Sequence, residues 1–161
     1  MTVLTVRWIY ILDQDFVHSI LHLLPPGWNK GYAFYDKKGR LRLEINPDGS
    51  ARVLAGYAWD GCTPKFSIFD ILIGTPDGAP NHQTKKPKTY YASLLHDVLY
   101  QFLELNPDAP RPAADRAFLE LLTRDEFAPK RVYYIAVRIF GGLSHLFTRW
   151  KRSYEGKRVP L

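Results

Sequence analysis

Tyr32-Ala33-Phe34-Tyr35-Asp36-Lys37-Lys38-Gly39-Arg40-Leu41-Arg42-Leu43-Glu44-Ile45-Asn46-Pro47-Asp48-Gly49-Ser50-Ala51-Arg52-Val53-Leu54-Ala55 settles the fold class. Three aromatic or alternating runs, Tyr32 to Tyr35, Leu41 to Ile45 and Ala51 to Ala55, are separated by Asp36 to Gly39 and by Pro47 to Gly49. Glycine supplies the positive φ of a tight turn and proline pre-sets the angle before it, so both separators read as hairpin turns. The expectation is a small antiparallel meander within a β-rich part spanning 31–64.

Upstream, Val3 to Ile11 reads as a short apolar strand. Asp13 is placed to cap a short helix running to about Leu24, where Pro25-Pro26-Gly27 ends it. Downstream, Gly56 to Pro64 has turn formers and no sustained period, so a loop is expected. Phe66 to Ile73 suggests a short apolar helix or turn. Residues 74–88 hold three prolines, two glycines and Lys85, Lys86 and Lys88, the composition of a flexible insert.

The second half is helical in pattern over 89–150. Tyr91, Leu94, Leu95, Val98, Leu99 and Phe102 recur at three- and four-residue spacing from Thr89 to about Leu103, and Asn106-Pro107 closes that helix. A second helix is expected from Pro112 to Glu126, with Phe118, Leu121 and Leu122 on one face. A third opens at Pro129 with Val132, Ile135, Ala136, Ile139 and Phe140 as its core stripe, and Gly141-Gly142 should kink or interrupt it. The fold class is therefore α+β: a small antiparallel sheet packed on about three main helices, in a single domain spanning 1–161.

With 161 residues, 46% hydrophobic and 24% charged, the chain has the composition of one globular domain with a hydrophobic core. The single cysteine, Cys62, excludes an internal disulfide framework. The opening residues lack the basic and apolar regions of a secretory signal, so secretion by that route is not expected. No run is long and apolar enough for a transmembrane segment. The net charge of +6 is concentrated in the lysine group and in Arg149, Lys151, Arg152, Lys157 and Arg158, with 151–161 read as a basic tail. Such a charge suits phosphates, anionic lipid or an acidic protein, or simply a solvated surface. No phosphate loop, zinc-spaced cysteines or groove-reading motif is present, so nucleic acid is not the expected partner.

The chemistry-bearing residues lie on the first of the three helices. His96 and Asp97 are adjacent and point about 100° apart, which gives them separate roles, while Tyr100 lies one turn beyond His96 on the same face. A short connection makes the next helix antiparallel, so Asp115 can approach His96 and Tyr100. Asp115 would then orient the imidazole and stabilise its protonated form, leaving His96 as general base. Asp97, with Asp60 and backbone carbonyls of the loop near Trp59 and Gly61, would offer oxygen ligands to a hard cation such as Ca²⁺.

These residues carry two resemblances. Leu94 to Tyr100, Ala113-Ala114-Asp115-Arg116-Ala117-Phe118, Trp59-Asp60-Gly61-Cys62-Thr63-Pro64 and Arg138-Ile139-Phe140-Gly141 together resemble a phage and prophage protein family of unknown function. That similarity covers roughly Gly56 to Gly141 and implies a viral or prophage origin, in the host cytoplasm or in the virion. Locally, His96-Asp97-x-x-Tyr100 with the later Asp115 is similar to phospholipase A2. By that likeness His96 is the general base, Asp97 the calcium ligand, Tyr100 the supporting tyrosine and Asp115 the histidine partner. Three departures weaken the likeness: no disulfide can form, the glycine-containing loop lies far upstream of the helix, and Asp60-Gly61-Cys62 copies the calcium loop poorly.

Two functions stay open on the sequence. One is a small calcium-dependent ester hydrolase acting on phospholipid. The other is a non-catalytic tail, head or connector protein binding other phage structural proteins, in which the same residues form a polar knot between helices. Asp70 and His82 are weaker candidate ligands. His18 and His22 lie four apart on the expected first helix, where packing is the simpler role.

Overall fold

The computed structural model describes residues 10–59, 61, 80–148 and 156–161. Its elements are β1 (Tyr10–Ile11), β2 (Phe16–Ser19), β3 (Tyr32–Tyr35), β4 (Leu41–Ile45), β5 (Ser50–Val53), β6 (Ala58–Trp59), α1 (Tyr90–Gln101), α2 (Arg111–Arg124), α3 (Lys130–Thr148) and β7 (Lys157–Pro160). The fold is α+β, as the sequence leads one to expect.

Strands β2, β5, β4, β3 and β7 form a five-stranded sheet in that order, every neighbouring pair antiparallel, while β1 pairs with β6. Both expected turns are present. Gly39 (φ 73°) donates its amide to the Asp36 carbonyl at 2.9 Å, and Asp36 accepts the amides of Lys38 and Arg40 on its side chain. Gly49 (φ 77°) closes the second turn with its amide 2.9 Å from the Asn46 carbonyl.

Period-two alternation sends Phe34, Leu43, Ile45, Ala51 and Val53 to the buried side of the sheet. They share one hydrophobic cluster with Leu94, Leu95, Val98, Leu99 and Phe102 of the α1 region and with Phe118, Leu121 and Leu122 of α2. Phe34 and Phe102 meet across the layers with ring centroids 5.5 Å apart. Trp59, fully buried, stands edge-on to Tyr90 at 4.8 Å and donates its indole N–H to the Ser93 hydroxyl at 3.1 Å. Burial of this cluster is the main stabilising term, at about 25 cal/mol per Å² of apolar surface.

Four expectations need correction. The segment after Asp13 is not a helix: Phe16–Ser19 pairs with β5, and only Leu21–Leu23 turns, as a 3-10 helix. Non-local ladder bonds and the Phe16–Tyr91 stack at 4.6 Å outweigh the local capping signal. On α3 Ala136 of the expected stripe faces the core, beside Tyr133 and Val137, whereas Val132, Ile135 and Ile139 face outward and the Phe140 side chain lies outside the described residues. The helix runs through Gly141-Gly142 without interruption. Finally, the basic tail supplies β7, with Lys157 over the Tyr35 ring and Arg158 over the Tyr32 ring at 5.3 and 4.3 Å.

Most of Val3 to Ile11, all of Phe66 to Ile73 and the first part of the 74–88 insert lie outside the described residues. In the described part, Pro80 and Pro87 form an isolated antiparallel bridge around a turn.

Candidate active site between three helices

α1 ends at Gln101, a 3-10 turn (Leu103–Leu105) follows, and α2 begins at Arg111 behind the extended Pro110. This short connection folds α2 back along α1 and brings the Asp115 side chain beneath His96 and Tyr100. Asp115 is fully buried. Its Oδ1 lies 3.0 Å from His96 Nε2 and accepts the Tyr100 hydroxyl at 2.6 Å. Its Oδ2 accepts Arg138 Nη1 of α3 at 3.0 Å, with Arg111 Nε 3.6 Å away.

Arg111 binds the cluster to α3 in a second way. Its Nε donates to the Tyr100 hydroxyl oxygen at 2.9 Å, and its Nη2 donates to the carbonyls of Val137, at 3.4 Å, and Arg138. Every strong acceptor on Asp115 is thus occupied, the condition under which a buried carboxylate is tolerated.

Burial by itself pushes the Asp115 carboxyl up, but hydrogen bonds from His96 and Tyr100, the nearby imidazole and the Arg138 guanidinium outweigh it and hold the group below the usual carboxylate range. The Tyr100 hydroxyl moves the other way, raised above its ordinary value first by burial and then by Asp115. An ionised Asp115 only accepts, so the His96 nitrogen facing it carries the proton and Nδ1 is the basic nitrogen of the neutral ring. The imidazole lies over Tyr100, ring centroids 4.2 Å apart, and 5.2 Å from Phe118. His96 is 9% exposed.

The three expected members, His96, Tyr100 and Asp115, therefore meet. Arg111 and Arg138 join them, two members that the sequence pattern does not single out as part of the site. Arg111 had a local signal, being four residues before Asp115 on one helix. Arg138 had none, because its partner lies on another helix.

Asp97 is half-buried on the adjoining side of α1 and is engaged within the fold. Asp60, Cys62 and Asp70 lie outside the described residues, and His82 is exposed in the turn before α1. Among the described residues no group of three or more His, Cys, Asp or Glu side chains converges as metal ligands. Calcium takes six to eight oxygens, and the buried carboxylate here is already committed to two arginines. His18 sits on β2, and His22 instead approaches both carboxylate oxygens of Glu120 at 3.0 Å on the surface.

No known protein family, curated protein or solved structure matches the chain.

Proposed function

We propose that this chain is a phage- or prophage-type ester hydrolase in which His96 is the general base and Asp115 its buried partner. The 3.0 Å approach of His96 Nε2 to a sealed, ionised Asp115 carries this reading, and the resemblance of the surrounding motifs supports the origin. In the reaction Nδ1 takes a proton from water as the water oxygen bonds to the ester carbonyl carbon. The imidazolium is stabilised by Asp115, and its proton passes to the leaving alkoxide as the C–O bond breaks. Tyr100 fixes the carboxylate and is a positioning residue. Phospholipid is the substrate class suggested by the likeness to phospholipase A2, and no step is assigned to calcium.

A second reading is favoured by the other side of the cluster. Arg138 on Oδ2, with Arg111 reaching α3 carbonyls, joins three helices through one carboxylate. Such a knot suits a non-catalytic virion component that meets its neighbours through basic and aromatic surfaces.

Ester release from mixed phospholipid vesicles separates the two. Wild type, His96→Ala and Asp97→Ala are compared in calcium and in chelator, with thermal stability followed in parallel. Release that disappears in His96→Ala while folding is retained supports the hydrolase; loss in Asp97→Ala and in chelator would add a calcium role. An inactive wild type whose variants chiefly lose stability establishes the knot instead.

A further inference from the structure

Helix α3 carries an apolar row on the wrong side for the core. Val132, Ile135 and Ile139 are 51%, 56% and 54% exposed, at the spacing that aligns side chains along one face. The exposed Arg131 and Arg138 border this row on one side, and the half-buried Lys130 stands at the start of the helix. None of the 19 residues of α3 is acidic. Outward branched aliphatics beside cations, with no anion on the same helix, form the pattern of a helix that lies in a lipid interface.

We propose that this face of α3 is a docking surface for an anionic bilayer, with Val132, Ile135 and Ile139 entering the acyl boundary and Arg131 meeting the headgroups. A second copy of the chain fits less well, since pairing two such faces would bring arginine against arginine. Nucleic acid would answer the charge and leave the aliphatic row in water. A bilayer satisfies both halves of the face, and it does so whether or not His96 turns over a substrate.

The test is co-sedimentation of the full chain, in wild-type and His96→Ala forms, with phosphatidylcholine vesicles containing or lacking phosphatidylglycerol. The expected result is binding to the anionic vesicles in both forms, weakened by high salt. Ile135→Glu combined with Ile139→Glu should reduce partitioning by roughly tenfold or more, and Arg131→Glu by several-fold. All three positions are exposed, so an unchanged melting temperature certifies the fold, and Arg131→Glu reports independently of the apolar pair. Absence of vesicle binding by folded wild type overturns the proposal. So does binding indifferent to these substitutions, or a dimer abolished by the double substitution in a protein that ignores vesicles. Because His96→Ala is measured alongside, loss of hydrolysis and loss of docking are read separately.

Discussion

The Tyr100 hydroxyl donates to Oδ1 of Asp115 over 2.6 Å, sharing that oxygen with the His96 ring. The same hydroxyl accepts Arg111 Nε, so one phenol links the carboxylate to a guanidinium that also holds α3. Tyr100→Phe should therefore cost about 1.5–3 kcal/mol, the range for a hydrogen bond to a charged group, read as a lower denaturant midpoint at unchanged m-value. If His96 is the base, turnover should fall more than the midpoint alone explains.

Removal of the carboxylate is expected to be harsher. Asp115→Ala strips the acceptor from Tyr100, His96 and the partly exposed Arg138 and Arg111 together, so it should lower stability by more than Tyr100→Phe does. Asp115→Asn, which keeps an acceptor oxygen, should be milder. Equilibrium urea unfolding of both variants checks the order.

Acid stability should rest partly on Asp36, whose side chain binds Arg40 at 2.9 Å and Arg42 at 3.0 Å. Burial raises this carboxyl, yet the Arg40 amide, both guanidinium groups and the Lys38 amide bring it from 3.8 down to about 2. The unfolded chain then binds more protons across that interval, so the contribution is complete above pH 3.8 and is lost as the pH falls toward 2. Asp36→Asn should flatten this part of the acid unfolding curve while destabilising the protein at neutral pH.

Ser93 is the acceptor for the buried Trp59 indole and also donates to the Tyr90 carbonyl at 3.0 Å. Ser93→Ala strands the indole N–H away from water, at about 1–3 kcal/mol. Thermal unfolding followed by tryptophan fluorescence reports it directly.

Gly49→Ala should destabilise on two grounds. The backbone there has φ 77°, and an added Cβ would lie 2.6 Å from the Leu21 Cα, which is main chain and cannot rotate away. Gly39→Ala has the same backbone strain and open space around it, so it should be the gentler of the two. Paired denaturation curves test the difference.

Local chemistry made much of this fold legible. The Asp36 and Gly49 turns announce themselves through glycine, proline and aspartate, and the α1–α2 hairpin follows from two periodic runs with a short link. The His96–Asp115 contact comes from that hairpin alone. What local pattern could not supply is pairing at a distance. β2 forms because Phe16 sits opposite Val53 in the ladder, although Asp13 looks like a cap. The buried face of α3 is carried by Tyr133 and Ala136, while the more aliphatic row that dominates the sequence pattern points outward. Lys157 and Arg158 look like solvated charge and instead cover aromatic rings at the sheet edge, where charged strands are well suited.

The place of β7 next to β3 also orders events in time. Tyr32 to Tyr35 are made early, but one flank of their strand is completed only by Lys157–Pro160, after α1, α2 and α3 have left the ribosome. During synthesis β3 is therefore a bare edge with unsatisfied amides and carbonyls, open to the wrong strand of another chain. Its closure is among the longest-range pairings of the described residues, a kind of contact that forms slowly, and it makes β7 a latch on the nascent chain.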